Sequence, residues 1–197
     1  MELGEVLRRR RMVRRFEPGP LPAEVLDRIL HSATRAPSAG FSQGLDLLVI
    51  EGGDAVRGFW RTTADPRFDK PYSSAEPPVI VLVLADKQAY LDRYAAPDKA
   101  GLGMDVEEGW PVPYWDMDAA MAVMLMLLTA VDEGVGAWWF GVFHGADALL
   151  RDLGVPPGRR LVGAVALGWP AGDDRPSGSA RTRPRRPFDQ VVHWGRW

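Results

Sequence analysis

Near the start of the chain runs Arg8-Arg9-Arg10-Arg11-Met12-Val13-Arg14-Arg15-Phe16, and six of its first eight residues are arginine, although the 197-residue chain carries a formal charge of only −2. So dense a cationic run repels itself unless something anionic lies beside it. Three partners fit: solvent over a basic face, a nucleic acid or membrane bound by a tail, or a phosphate held in a folded socket. A second cluster, Arg181, Arg183, Arg185 and Arg186, lies near the other end. Arg10 and Arg14 are four residues apart, so on a helix end they would share a face. Two guanidinium groups side by side suit a phosphate better than open water.

Composition narrows the partners. With 46% hydrophobic and 25% charged residues, the chain reads as one globular domain over residues 1–197, large enough to bury roughly 70% of its unfolded surface. A pI near 5.9 argues against a dedicated nucleic-acid binder, whose pI usually exceeds about 9. There is no cysteine, which excludes disulfides and thiolate chemistry. His31, His144 and His193 are too scattered for a paired metal site, so no metal is expected. No apolar segment follows the arginines as an export signal requires. The longest greasy run, Ala119–Val131, is shorter than the roughly 20 residues that span a bilayer. A cytoplasmic protein that binds neither membrane nor nucleic acid is expected.

Periodicity predicts a short helix over Leu3–Arg11 and a second that starts at Pro22, carries Val25, Leu26, Ile29, Leu30 and Ala33, and ends before Pro37. Leu45–Glu51 reads as a strand, Asp54–Trp60 as a short helix and Val79–Ala85 as a strand buried on both faces. Residues 88–115 read as a long irregular excursion ending in the aromatic cluster Trp110, Tyr114 and Trp115. Asp116 and Asp118 then offer caps for the longest helix, Asp118–Glu133, apolar nearly all round and stopped by Gly134. Ala137–Phe143 is a strand, Ala146–Leu153 a helix closed by Gly154, and Leu161–Leu167 a further strand. An extended arm follows from about residue 170, without periodicity until Phe188–Val192. Helices and strands therefore interleave in an α+β or α/β domain.

No G-x-G-x-x-G follows a strand, and neither G-x-x-x-x-G-K-[ST] nor G-x-S-x-G occurs. No catalytic side chain can be named. If the chain is an enzyme, a cofactor carries its chemistry.

Five ordered segments share one resemblance. Arg10–Phe16 resembles the R-R-S-V-R-x-F signature of the nitroreductase-like FMN-dependent flavoproteins. Arg35-Ala-Pro-Ser-Ala-Gly-Phe-Ser-Gln-Gly44 is similar to that family's A-P-S-x-x-N-x-Q-P-W, and Gly134–Gly141 to the strand entry beneath the flavin ring. Leu161–Pro170 looks like the strand ending "lGyP", and Arg183–Phe188 like the late K/R-x-R-x-P segment. The resemblance implies an α+β nitroreductase-like fold, with a mainly antiparallel central sheet wrapped by helices. It also implies an intertwined homodimer with two FMN molecules at the subunit interface.

Carried over by position, Arg10, Arg11 and Arg14 would hold the FMN phosphate and ribityl side, with Met12 offering its backbone N–H. Arg185, with Arg183, would complete the socket. Pro37 and Ser38 would approach the ring, and Phe140 and Gly141 would give backbone donors toward N5 and O4. Phe41, Trp110, Tyr114 and Trp115 would line a substrate pocket, core packing being the competing role of the last three. The implied chemistry moves a hydride from a nicotinamide donor through FMN to a small aromatic acceptor such as a nitroaromatic or quinone. Met12 for Ser, Phe41 for Asn and Gly44-Leu45 for Pro-Trp depart from the family pattern. These departures keep open a deazaflavin in place of FMN, or a non-catalytic flavin-binding or redox-sensing protein.

Overall fold

The computed structural model describes residues 1–65, 77–175 and 179–197, and the part of the C-terminal arm at 176–178 lies outside it. Among the described residues, four strands form one antiparallel sheet: β1 (Leu45–Glu51), β2 (Val79–Asp86), β3 (Gly136–Phe140) and β4 (Arg159–Gly168), ordered β1-β2-β4-β3. The helices are α1 (Leu3–Arg9), α2 (Ala23–Ala33), α3 (Gly53–Thr62), α4 (Lys87–Ala95), α5 (Tyr114–Asp132), α6 (Ala146–Asp152) and the single turn α7 (Ser179–Thr182).

The sheet divides two layers, as alternating side chains require. Val79, Val81, Val83 and Ala85 of β2 face a cluster built with α2 and α5, while Ile80 and Leu82 face Val56 and Phe59 of α3 and Leu149 of α6. The central strand is buried on both sides, which explains its uninterrupted apolar run.

α5 is long and apolar enough to cross a bilayer. Here it is a core helix: Ala119, Ala122, Val123, Met126, Leu127 and Ala130 are buried against α2 and the sheet. Its opposite side leaves Met117, Met121 and Met124 each more than 40% exposed.

β1 matches its predicted bounds, and β2 extends only to Asp86. Elsewhere the boundaries differ, for physical reasons. α1 ends at Arg9 instead of Arg11, because Val13 donates its N–H to Ala137 on the open edge of β3 and buries its side chain with Phe16 and Trp138. A continuing helix would break both contacts.

The predicted excursion at 88–115 contains the helix α4, capped by Asp86, whose carboxylate accepts the N–H groups of Gln88 and Ala89 at 3.0 and 3.4 Å. α5 begins at Tyr114, after Pro113, so Asp118 is not its cap but the fifth residue of the helix, buried. β3 stops at Phe140, short of the predicted Phe143, which is 83% exposed.

Candidate flavin site

Part of the arginine run is neutralised within the chain. Arg9 pairs with Glu5, Arg15 with Asp173 and Arg11 with Asp174. Asp174 is the centre of this arrangement. Its side chain is 2% exposed, and one oxygen accepts the backbone N–H groups of Arg14 and Arg15 at 3.0 and 2.9 Å while the other takes the Arg11 guanidinium. Burial alone would raise its pKa. The hydrogen bonds from Arg11, Arg14 and Arg15 outweigh that and hold the carboxyl below its ordinary range.

Flanking backbone ties reinforce the clasp. Glu17 donates to Trp169 at 2.8 Å, Ala171 donates to Arg15 at 3.0 Å, and Phe16 bridges Pro170. The segment is thus a fixed loop along the β3 edge, and the predicted shared helical face of Arg10 and Arg14 does not exist.

Arg10 sits at the C-cap of α1, and among the described residues no acid pairs with it. The Arg14 guanidinium lies 5.5 Å from the centroid of the Trp138 ring. Met12 is partly buried between the clusters on both sides, and its Sδ receives the Trp139 N–H at 3.5 Å. The N–H groups of Val13, Arg14 and Arg15 are all engaged within the chain. An anion at this place would therefore meet guanidinium groups more than backbone donors.

Phe140 and Gly141 close the far end of β3. The Phe140 ring packs on Trp138 at 4.5 Å and Trp60 at 5.4 Å, leaving its backbone at the strand exit.

Pro37, Ser38 and Phe41 belong to a tight turn after α2, next to a cavity of about 160 Å³ that Tyr90 and Asp118 also line. Phe41 is 71% exposed there. Gly44 follows because no side chain fits: a Cβ would lie 2.6 Å from the Asp86 carbonyl oxygen and 2.6 Å from the Tyr90 ring. Gly44→Ala should therefore destabilise the fold by about 2 kcal/mol, lowering Tm by roughly 4–8 °C in a calorimetric scan.

Trp110 and Trp115 belong to the core instead of the expected substrate pocket. Trp110 and Trp115 are 7% and 3% exposed, packed edge-on against Tyr90, and the Trp110 indole donates to the Met104 carbonyl at 2.8 Å. They are core residues. Only Tyr114, half-buried at the start of α5, stays near the surface. Arg183 and Arg185 lie in the exposed arm after α7, and among the described residues no hydrogen bond or ion pair ties them to Arg10 or Arg14.

The candidate segments also divide along α5. The chain's N-terminal amine pairs with Asp132 at the end of α5, and Val13 bonds Ala137 just beyond that end. Ala39 donates instead to Asp118, near the beginning of α5. Fourteen residues of helix place those two anchors about 20 Å apart.

A sequence profile of the Nitroreductase family matches residues 7–169. The chain belongs to the nitroreductase family. Its architecture is the α+β nitroreductase-like fold, an antiparallel sheet wrapped by helices. An NADH dehydrogenase of Thermus thermophilus is 27% identical over 204 residues, covering 94% of this chain and 92% of that protein. YdjA of Escherichia coli K12 is 30% identical over 178 residues, 86% and 89% of the two chains. A Desulfovibrio desulfuricans protein crystallised with FMN superposes with a TM-score of 0.66 at 25% identity, covering 98% of this chain and 95% of that one.

In this member of the family, the motifs contain the arginines and the Pro37–Phe41 turn. Asp174, Asp118 and Tyr90 lie outside them. The one available signal was the pair Asp173-Asp174 set after the "lGyP"-like strand, where a surface turn is the ordinary explanation.

Proposed function

We propose that this chain is a single flavin-binding domain acting as a cytoplasmic, FMN-dependent NAD(P)H oxidoreductase, with a nitroaromatic or quinone as acceptor. The observation that carries the reading is the uneven neutralisation of the arginine run. Acids of the chain take Arg9, Arg11 and Arg15, while among the described residues no acid pairs with Arg8 or Arg10. A dianionic phosphate supplies the missing charge, and charge-assisted hydrogen bonds make that pairing strong.

Arg10 and Arg14 would hold the phosphate, with Arg185 and Arg183 brought in from the arm. Asp174 and Arg11 keep the segment in place. Pro37, Ser38 and Phe41 would border the ring, and the backbone of Phe140 and Gly141 would face its polar edge. When bound, FMN supplies two-electron hydride chemistry; the chain binds it, orients it and leaves one side open to substrates. Solvent can deliver protons, so no acidic side chain is assigned that task.

The division along α5 supports a homodimer. One protomer would present Arg10 and Arg14, and its partner would present Pro37, Ser38 and Phe41 across the interface. Met117, Met121 and Met124 of α5 form an exposed apolar row at i, i+4 and i+7, and Leu3 and Leu7 are exposed on α1, which packs on α5. Phe188, Trp194 and Trp197 are 72%, 84% and 96% exposed on the arm, surfaces suited to a partner chain.

Purified protein should be yellow, release FMN on heating and oxidise NADH or NADPH with menadione. It should sediment at twice the 21.8 kDa chain mass. Met121→Asp should shift it toward monomer and lose flavin together. A colourless protein that takes up no added FMN would sink the assignment, and a deazaflavin chromophore would revise the cofactor.

A further inference from the structure

The turn that bears Phe41 is held in a conformation its residues do not favour. Phe41 and Gln43 have φ of +57° and +53°, with Gly40 at +60° beside them. Non-glycine residues stay in the left-handed region only where the surroundings fix them, and such places cluster at functional sites. Here the surroundings are identifiable side chains from two helices.

Asp118 of α5, 6% exposed, accepts the Ala39 N–H at 2.9 Å and the Tyr90 hydroxyl at 2.8 Å on the same oxygen. Tyr90 of α4 is itself 1% exposed. Burial first, and the Asp118 hydrogen bond second, push its pKa up, so the phenol stays a donor at any working pH. From the next turn of α4, Arg93 donates Nε to the Gly40 carbonyl at 2.9 Å, while Asp98 grips its other two nitrogens at 2.8 and 2.6 Å. The Tyr94 ring lies against Gly40, where a Cβ would come within 2.7 Å. Ser38 closes the turn by accepting the Gln43 N–H at 3.0 Å.

A buried carboxylate is a poor way to stabilise a fold, because desolvation offsets much of what its partners return. An apolar residue at 118 would pack α5 onto the sheet as well. An acceptor oxygen at 118 holds a backbone N–H of the turn and a hydroxyl of α4 at once, which no apolar side chain can do.

We propose that Asp118, Tyr90 and Arg93 are positioning residues that lock the Ser38–Gln43 turn, with Phe41 and Gln43 left-handed, so that Phe41 stands outward as a rigid wall for a flat acceptor over the flavin. The proposal rests on the flavin reading above. The helix α4 is then a clamp behind the site.

Amide hydrogen exchange of the peptide spanning residues 36–45 tests it, on the full chain with and without FMN, in Asp118→Leu, Asp118→Asn and Arg93→Gln. In Asp118→Leu and Arg93→Gln this peptide should exchange at least about tenfold faster, while peptides from β2 keep their protection. FMN should remain bound through Arg10 and Arg14, and KM for menadione should rise more than kcat falls. Asp118→Asn keeps an acceptor oxygen for the Ala39 N–H and should recover most of both effects.

Unchanged exchange at 36–45 in folded Asp118→Leu and Arg93→Gln would overturn the proposal, as would an Asn variant no better than the Leu one. Should Asp118→Leu fail to fold, the exposed-side variant Arg93→Gln decides. If the unaltered chain takes up no FMN, the flavin reading falls, and exchange in the flavin-free chain still decides whether the clamp exists.

Discussion

Asp174→Ala is expected to destabilise the protein by about 2–3 kcal/mol at pH 7, lowering Tm by roughly 5–10 °C. Arg11 contributes the smaller share of that loss. It is 38% exposed, so its freed charge is readily hydrated. The larger share comes from the N–H groups of Arg14 and Arg15, which lose a common acceptor whose side chain is 2% exposed. Asp174→Asn retains one acceptor oxygen and should lose only about 1 kcal/mol.

The pH dependence has a definite sign. The folded-state pKa of Asp174 is depressed below its ordinary value near 3.9, so its contribution is fully present above that value. It is lost as pH falls through the lower folded value. The stability gap between the native chain and Asp174→Asn should therefore be constant from pH 7 to 5 and shrink as pH drops below about 4. Urea unfolding across that range measures it. A gap that widened on acidification would contradict the anchoring role.

The sheet was legible because its signals are local. Val79–Ala85 is apolar at every position between Pro77-Pro78 and Asp86, and both ends of β1 fall where its pattern stops. The candidate site was legible only in its motif residues. Asp174 makes its bonds to residues 159–163 positions upstream, and no periodicity registers such a pairing. Asp118 had the sequence of a cap, an acid ahead of an apolar run. The helix starts a turn earlier because Pro113 suits its entry and Trp115 has a core to fill.

Trp110 and Trp115 illustrate a different gap. An aromatic cluster after a polar stretch fits a pocket wall or a core equally, and burial decides between them only once α4 has folded beneath. The same helix gives Tyr90 its place beside Asp118. Thus the part of the sequence with the weakest pattern supports the turn with the most strained backbone.

The largest functional loss should come from Arg10→Ala combined with Arg14→Ala. Each guanidinium would make charge-assisted hydrogen bonds to a phosphate, and removing one typically weakens binding by about tenfold to a hundredfold. Two neighbours on one anion are coupled, so the double variant should fall by about a thousandfold without reaching the full product. Fluorescence titration with FMN measures this directly, and riboflavin, which lacks the phosphate, supplies the control: its affinity should barely change.

Arg11→Ala separates site from scaffold. Because Arg11 is engaged by Asp174, its loss should lower stability while moving FMN affinity by no more than a few-fold. Equal losses of FMN affinity in Arg10→Ala and Arg11→Ala would mean that density of charge, and not its placement by Asp174, recruits the phosphate. The clasp argues for placement: it consumes one guanidinium and two backbone donors to fix on the β3 edge the loop that carries Arg10 and Arg14.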